Sequence, residues 1–147
     1  MITNPRNLDI WQEAYKLTLA MYKALEPFPE FEEKNLKGQL RRATTSILLN
    51  ITEGVSSQAN RMCVIHLGYA YSSAKEVETA LILCKDLGYI QQYKYDPIKE
   101  ALDKLIAKMY RFQETIEHKH VQELKSKRGR IAEEVKRDFK TLFEEHQ

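Results

Sequence analysis

Few side chains in this sequence stand where chemistry would need them. Glu117 and His120 form a Glu-x-x-His step, the spacing that puts a carboxylate and an imidazole on one helix face for a di-iron centre. Such a centre needs a second copy of the motif on another helix, and the sequence has none. His118 and His120 are two residues apart and diverge on a helix, which makes them a poor metal pair. His66 falls near an apolar stripe and reads as a core or interface histidine. Cys63 and Cys84 have no adjacent base to activate a thiolate. They fall in one predicted helix, roughly 30 Å apart at its rise per residue, far beyond disulfide reach. They read as core thiols of a reducing cytoplasm. The glycines never cluster into a phosphate loop, and no serine occupies a nucleophile elbow. The expectation is a protein with no metal, no cofactor and no catalytic constellation.

The elements that carry these residues are helices. The chain of 147 residues has only 5 glycines and 4 prolines, too few for the many turns of an all-β domain. A first helix is predicted from about Leu8 to Leu25, capped by Asn7, with Leu8, Trp11, Tyr15, Thr18, Tyr22 and Leu25 at three- and four-residue steps. Pro27 and Pro29 interrupt it, and Phe28 and Phe31 are expected to tuck the loop onto the bundle end. A second helix spans about Asn35 to Glu53, with Gly54 as its C′ residue. A third runs from about Arg61 to Leu87, with Met62, Ile65, Tyr69, Ser73, Val77, Leu81 and Cys84 on one stripe and Gly88 ending it. A fourth opens at Asp96 as N-cap, with Pro97 at N1, and carries Ile98, Leu102, Leu105, Met109, Phe112 and Ile116. Four helices with short loops pack as an antiparallel up-down-up-down four-helix bundle over residues 1–117, an all-α fold. Residues 118–147 form a charged C-terminal extension. It is either a solvated tail or, after a break at Ser126–Gly129, a further amphipathic helix on Ile131, Val135, Phe139 and Leu142.

The second helix is dressed on three sides. Leu40, Thr44, Ile47, Ile51 and Gly54 face the core. Lys34, Lys37 and Arg41 form a basic stripe continued by Leu48 and Thr52. Arg42, Ser46, Leu49 and Glu53 form a third stripe flanked by Asn50. The two adjacent leucines imply burial beyond one stripe, most simply against another copy of the chain. Ser46, Leu48, Leu49, Asn50 and Glu53 are therefore candidate subunit-interface residues, with an Arg–Glu pair fixing orientation. The formal net charge is only +2, so any nucleic-acid surface must come from local clustering. The candidate nucleic-acid-binding residues are Lys34, Lys37, Arg41, Arg42, Arg61, Lys125, Lys127, Arg128 and Arg130. No apolar run approaches the roughly 20 residues of a membrane span, and the polar N-terminus has no apolar export segment, so a cytoplasmic protein is expected.

The stretches LDIWQEAYKL, FPEFE, QLRRATTSILLNITEG, AYSSAKEVETAL and DLGYI carry a resemblance over about residues 8–116. The chain resembles the four-helix-bundle proteins first noticed as reading frames within intervening sequences of bacterial large-subunit ribosomal RNA. These are relatives of the accessory variability determinant of diversity-generating retroelements. The resemblance implies an antiparallel bundle, a ring-shaped homopentamer in several members, and a non-enzymatic accessory role. In the better understood branch, that role is a basic scaffold for a reverse transcriptase and its template RNA. It places Arg41, Arg42, Ser46, Asn50, Glu53, Gly54, Ser73 and Glu76 at signature positions. Two departures stand out: the loop after the Glu-Gly pair reads VSSQANR, with Arg61 its one basic residue, and the net charge of +2 is low for a nucleic-acid scaffold. The extension beyond residue 117 goes past the usual family end, and its segment from Lys119 to Arg130, with five basic residues against Glu123, is a candidate source of the missing positive charge. The alternative function is a protein-interaction module that does not bind nucleic acid.

Overall fold

The structure is a computed structural model describing residues 4–144, with side chains to position 141. Its elements are a 3-10 turn at Pro5–Asn7, helix α1 (Asp9–Leu25), a second 3-10 turn at Glu30–Glu32, and helices α2 (Leu36–Ser56), α3 (Asn60–Asp86) and α4 (Gln92–Glu144). Among the described residues there is no strand. The four helices form the antiparallel bundle that the pattern predicts.

The predicted core residues of α2, Leu40, Thr44, Ile47, Ile51 and Gly54, are all buried, and Gly38, Ala43 and Val55 join them. Thr44 satisfies its hydroxyl by donating to the Leu40 carbonyl at 2.6 Å, so a polar side chain sits in the core without cost to the ladder. In α4, Ile98, Leu102, Leu105, Met109 and Ile116 are buried, and Phe112 packs against them. Each fully buried aliphatic side chain contributes about 1.5–3 kcal/mol relative to exposure.

α1 and the first half of α3 are rotated from the prediction. The buried face of α1 is Ile10, Ala14, Leu17, Met21 and Leu25. Tyr15 and Tyr22 lie outward at 45% and 49% exposure. In α3 the buried set is Cys63, Leu67, Ala70, Ala74, Val77, Leu81 and Cys84, whereas Met62 and Tyr69 are exposed and Ser73 faces α2. The reason is common to both. Small alanines fill the narrow space between close helices, and amphipathic aromatics cover the seams. Trp11 shows the arrangement: its indole donates to Thr52 Oγ1 at 3.0 Å and its ring stacks on Tyr15.

The helix ends differ as well. Asn7 does not cap α1. Leu8 is the N-cap residue, while Asn4 caps the preceding 3-10 turn. Gly54 is not a C′ residue, because α2 continues to Ser56. A Cβ at Gly54 would lie 3.0 Å from His66 Cβ and 3.2 Å from the Cys63 carbonyl oxygen. Glycine is there so that α3 can approach. Gly88 does end α3, in the left-handed region at φ 80°. Tyr89 N–H reaches back to the Cys84 carbonyl and Gly88 N–H to that of Lys85, a Schellman closure. Of the two loop phenylalanines, Phe28 is buried and Phe31 is 71% exposed. Glu32, buried in that loop, accepts from Leu36 N–H at the start of α2 and from the Tyr89 hydroxyl.

α4 begins at Gln92, four residues before the predicted cap, so Pro97 lies inside the helix. Asp96 accepts from Gln92 Nε2 rather than capping. The helix also passes Ser126–Gly129 without a break and runs to Glu144. From Val121 to Thr141 every side chain is exposed, on a rod that projects roughly 40 Å beyond Ile116. Leu142, predicted on its apolar face, has a side chain outside the described residues.

Candidate functional site

The close approach of α2 and α3 builds a ladder of polar contacts. Ser46 Oγ meets Ser73 Oγ at 2.9 Å. Asn50 Nδ2 donates to the Ser46 carbonyl at 2.9 Å and to its hydroxyl at 3.1 Å. That fixes the amide orientation, so Asn50 Oδ1 must accept from His66 Nδ1 at 3.1 Å. The same His66 nitrogen lies 3.2 Å from Glu53 Oε2. Toward the other end, Gln39 donates to Glu76, and Arg42 Nη2 donates to Gln39 Oε1 at 3.2 Å. Arg42, Ser46, Asn50, Glu53, Gly54, Ser73 and Glu76 are thus brought together along one helix seam. The ladder fixes the register of two helices. It activates no nucleophile, since Ser46 has a hydroxyl and an amide for partners. Inside the subunit Glu53 pairs with His66, and Arg42 donates to Gln39. His66, read from sequence as a core or interface residue, is the link between the two helices.

The two leucines separate. Leu48 is partly buried and packs on the core, whereas Leu49 is 54% exposed. Leu49 lines a groove with Tyr22, Arg41, Arg42 and Ser46. Tyr15, Leu19 and Tyr22 follow each other on the outward face of α1, so the exposed apolar surface runs from α1 onto α2. The sequence pattern placed both tyrosines in the core and missed this surface. Their polar hydroxyls are the signal that favoured the seam.

The basic residues divide into two groups, roughly 30 Å apart along α2. At the start of α2, Lys37 Nζ lies 2.9 Å from Glu33, which also binds the Arg41 guanidinium. Hydrogen bonds from Lys37 and Arg41 hold the Glu33 carboxyl below its ordinary range. The stripe from Lys34 to Arg42 contains no acid in sequence, yet the residue just before it folds back to neutralise two of its charges. Lys34 and Arg42 have no ion pair among the described residues. At the other end, Arg61 lines a groove with His120, Lys127 and Arg130, between the α2–α3 loop and α4. Asn60, the first residue of α3, ties that end of the helix to α4 by donating to Glu123 Oε1 at 2.7 Å. Lys125 and Arg128 are exposed on other sides of the same helix.

Both thiols are buried and free. Burial raises the Cys63 thiol, and burial followed by the Glu32 charge pushes Cys84 up to about 11. Both are therefore poor nucleophiles at neutral pH. Among the described residues no three His, Cys, Asp or Glu side chains gather to hold a metal ion, and no helix is long and apolar enough to cross a membrane.

The fold resembles a crystal structure of a protein of unknown function from the S23 ribosomal protein family of Bacteroides thetaiotaomicron. The TM-score is 0.66 at 20% identity, covering 71% of this chain and 95% of that one. No curated protein matches the sequence. The family model described as 23S rRNA-intervening sequence protein matches residues 6–111. That span holds the three-sided α2, the polar ladder and nearly all of the bundle core, and this chain belongs to the 23S rRNA-intervening sequence protein family.

Proposed function

We propose that this protein is a non-enzymatic, oligomeric accessory protein that binds RNA, with a reverse transcriptase as its expected protein partner. The observation that carries the RNA reading is the groove where Arg61 meets Lys127 and Arg130 beside His120. It joins Arg61, in the first turn of α3, to the basic segment of α4, with Lys119, Lys125 and Arg128 on the same helix. Cations spaced along a helix suit phosphates spaced along a backbone, and closed oligomerisation repeats the patch around an axis. Lys34 and Arg42 add charge at the far end, whereas Lys37 and Arg41 are held by Glu33. Subunits meet through Leu49 and its neighbours on α1, and the homopentamer implied by the family resemblance is the expected assembly. Titration of a structured RNA with the full chain at low salt tests the reading. Binding supports it, and its absence overturns it.

A second reading is a protein-interaction module without nucleic-acid binding. The ion pairs that quench Lys37 and Arg41 favour it, as does the exposed surface of Tyr15, Leu19, Tyr22 and Leu49. A single protein partner that survives nuclease treatment during purification distinguishes it from the first.

A further inference from the structure

The part of α4 beyond the bundle carries a seam that nothing in the subunit covers. Val121, Leu124, Arg128, Ile131, Val135 and Asp138 follow each other at alternating steps of three and four residues, the a/d spacing of a coiled coil. The sequence continues that register to Leu142. Val121, Leu124, Ile131 and Val135 are 46%, 52%, 60% and 50% exposed. A long helix with a regular apolar seam is marginal in water by itself and gains its stability from a partner laid along the seam.

The two charged residues in the seam select that partner and its direction. A parallel second copy would stack Arg128 on Arg128 and Asp138 on Asp138, two like-charge layers in a desolvated seam. An antiparallel second copy sets a positions against d positions. When Ile131 faces Val135 in that arrangement, Arg128 faces Asp138, and two-fold symmetry makes each layer twice. The basic groove residues Lys127 and Arg130 turn toward the α2–α3 loop, beside the seam rather than in it.

We propose that the α4 arms of two copies of this chain pair antiparallel, Ile131 against the partner's Val135 and Arg128 against the partner's Asp138, joining two bundles end to end. This inference goes beyond the RNA reading and does not depend on it. It adds a doubling to whatever assembly the bundle faces make.

The test is the solution mass of the full chain without RNA, by light scattering after size exclusion. Ile131→Glu with Val135→Glu halves the mass while the bundle still melts cooperatively. Arg128→Asp alone and Asp138→Arg alone also halve it, because each sets like charges against each other. An equimolar mixture of those two variants restores the wild-type mass, because in the mixed pair both charged layers set an aspartate against an arginine. An unchanged mass for the Ile131/Val135 variant overturns the pairing. Failure of the mixture to recover overturns the antiparallel register. Because no RNA is present, either failure leaves the RNA reading to be judged separately.

Discussion

Gly54→Ala tests whether α2 and α3 are held together by their close approach. In an open helix position, glycine to alanine stabilises by about 1 kcal/mol, through lower unfolded-state entropy and better propensity. At Gly54 the new Cβ would lie 3.0 Å from His66 Cβ, 3.2 Å from the Cys63 carbonyl oxygen and 3.5 Å from Cys63 Cα. Two of those atoms are backbone, so the helices themselves must part by a few tenths of an ångström. Overpacking of this kind costs about 1–3 kcal/mol. The gain offsets part of this, and Gly54→Ala is destabilising by about 1 kcal/mol. Gly68, in the same bundle, has open space where a Cβ would stand, with nothing within 4 Å, and Gly68→Ala stabilises by about 1 kcal/mol. The two variants therefore differ by about 2 kcal/mol, or about 4–8 °C in Tm for a chain of this size. Thermal unfolding followed by circular dichroism reads it. A Gly54→Ala protein that melts at or above the wild type refutes the reasoning.

Three further outcomes follow from the described contacts. Leu49→Arg lowers the oligomer mass on size exclusion while leaving helix content unchanged, because Leu49 is exposed; Leu48→Arg instead lowers Tm, because Leu48 packs on the core. Glu33 has a depressed folded-state carboxyl, so its stabilising contribution is present above the unfolded-state value and is lost as pH falls through the folded value. Wild type and Glu33→Gln therefore differ in stability at neutral pH and converge in acid, as paired urea titrations across pH will show. Native Cys63 and Cys84 resist alkylation at mildly alkaline pH and both react after unfolding, which mass spectrometry of the labelled chain counts directly.

The bundle was legible wherever one type of residue had one use. Leu40, Thr44, Ile47 and Ile51 of α2 and the Ile98–Met109 face of α4 could be read from spacing because apolar aliphatics there serve only the core. Trp11, Tyr15, Tyr22 and Tyr69 misled because an aromatic with a polar tip fits a seam or an outer face as well as a core. The true core partners, Ala14, Ala70 and Ala74, are small and give a weak hydrophobic signal. Pro97 looked like an N1 residue, yet it stands exposed in the second turn of α4, where it removes one ladder bond near the helix start while the rest of the long helix continues. Gly129 looked like a break, yet one exposed glycine costs about 1 kcal/mol, too little to interrupt a helix of this length. The ladder residues were visible as signature positions, but their partners were not. The ties from Asn50 to His66 and from Ser46 to Ser73 depend on how α3 rotates, and the aromatics obscured that rotation.

The central claim is that RNA phosphates are held where Arg61 meets α4. Its most direct test is the salt dependence of structured-RNA binding by the full chain, wild type against Arg61→Gln/Lys127→Gln/Arg130→Gln. Each phosphate contact contributes about 0.7–0.9 to the slope of log affinity against log salt. The account predicts a steep slope for the wild type, reduced by about 2–3 per groove in the variant. Equal slopes for the two proteins, or no binding by the wild type at low salt, would contradict it.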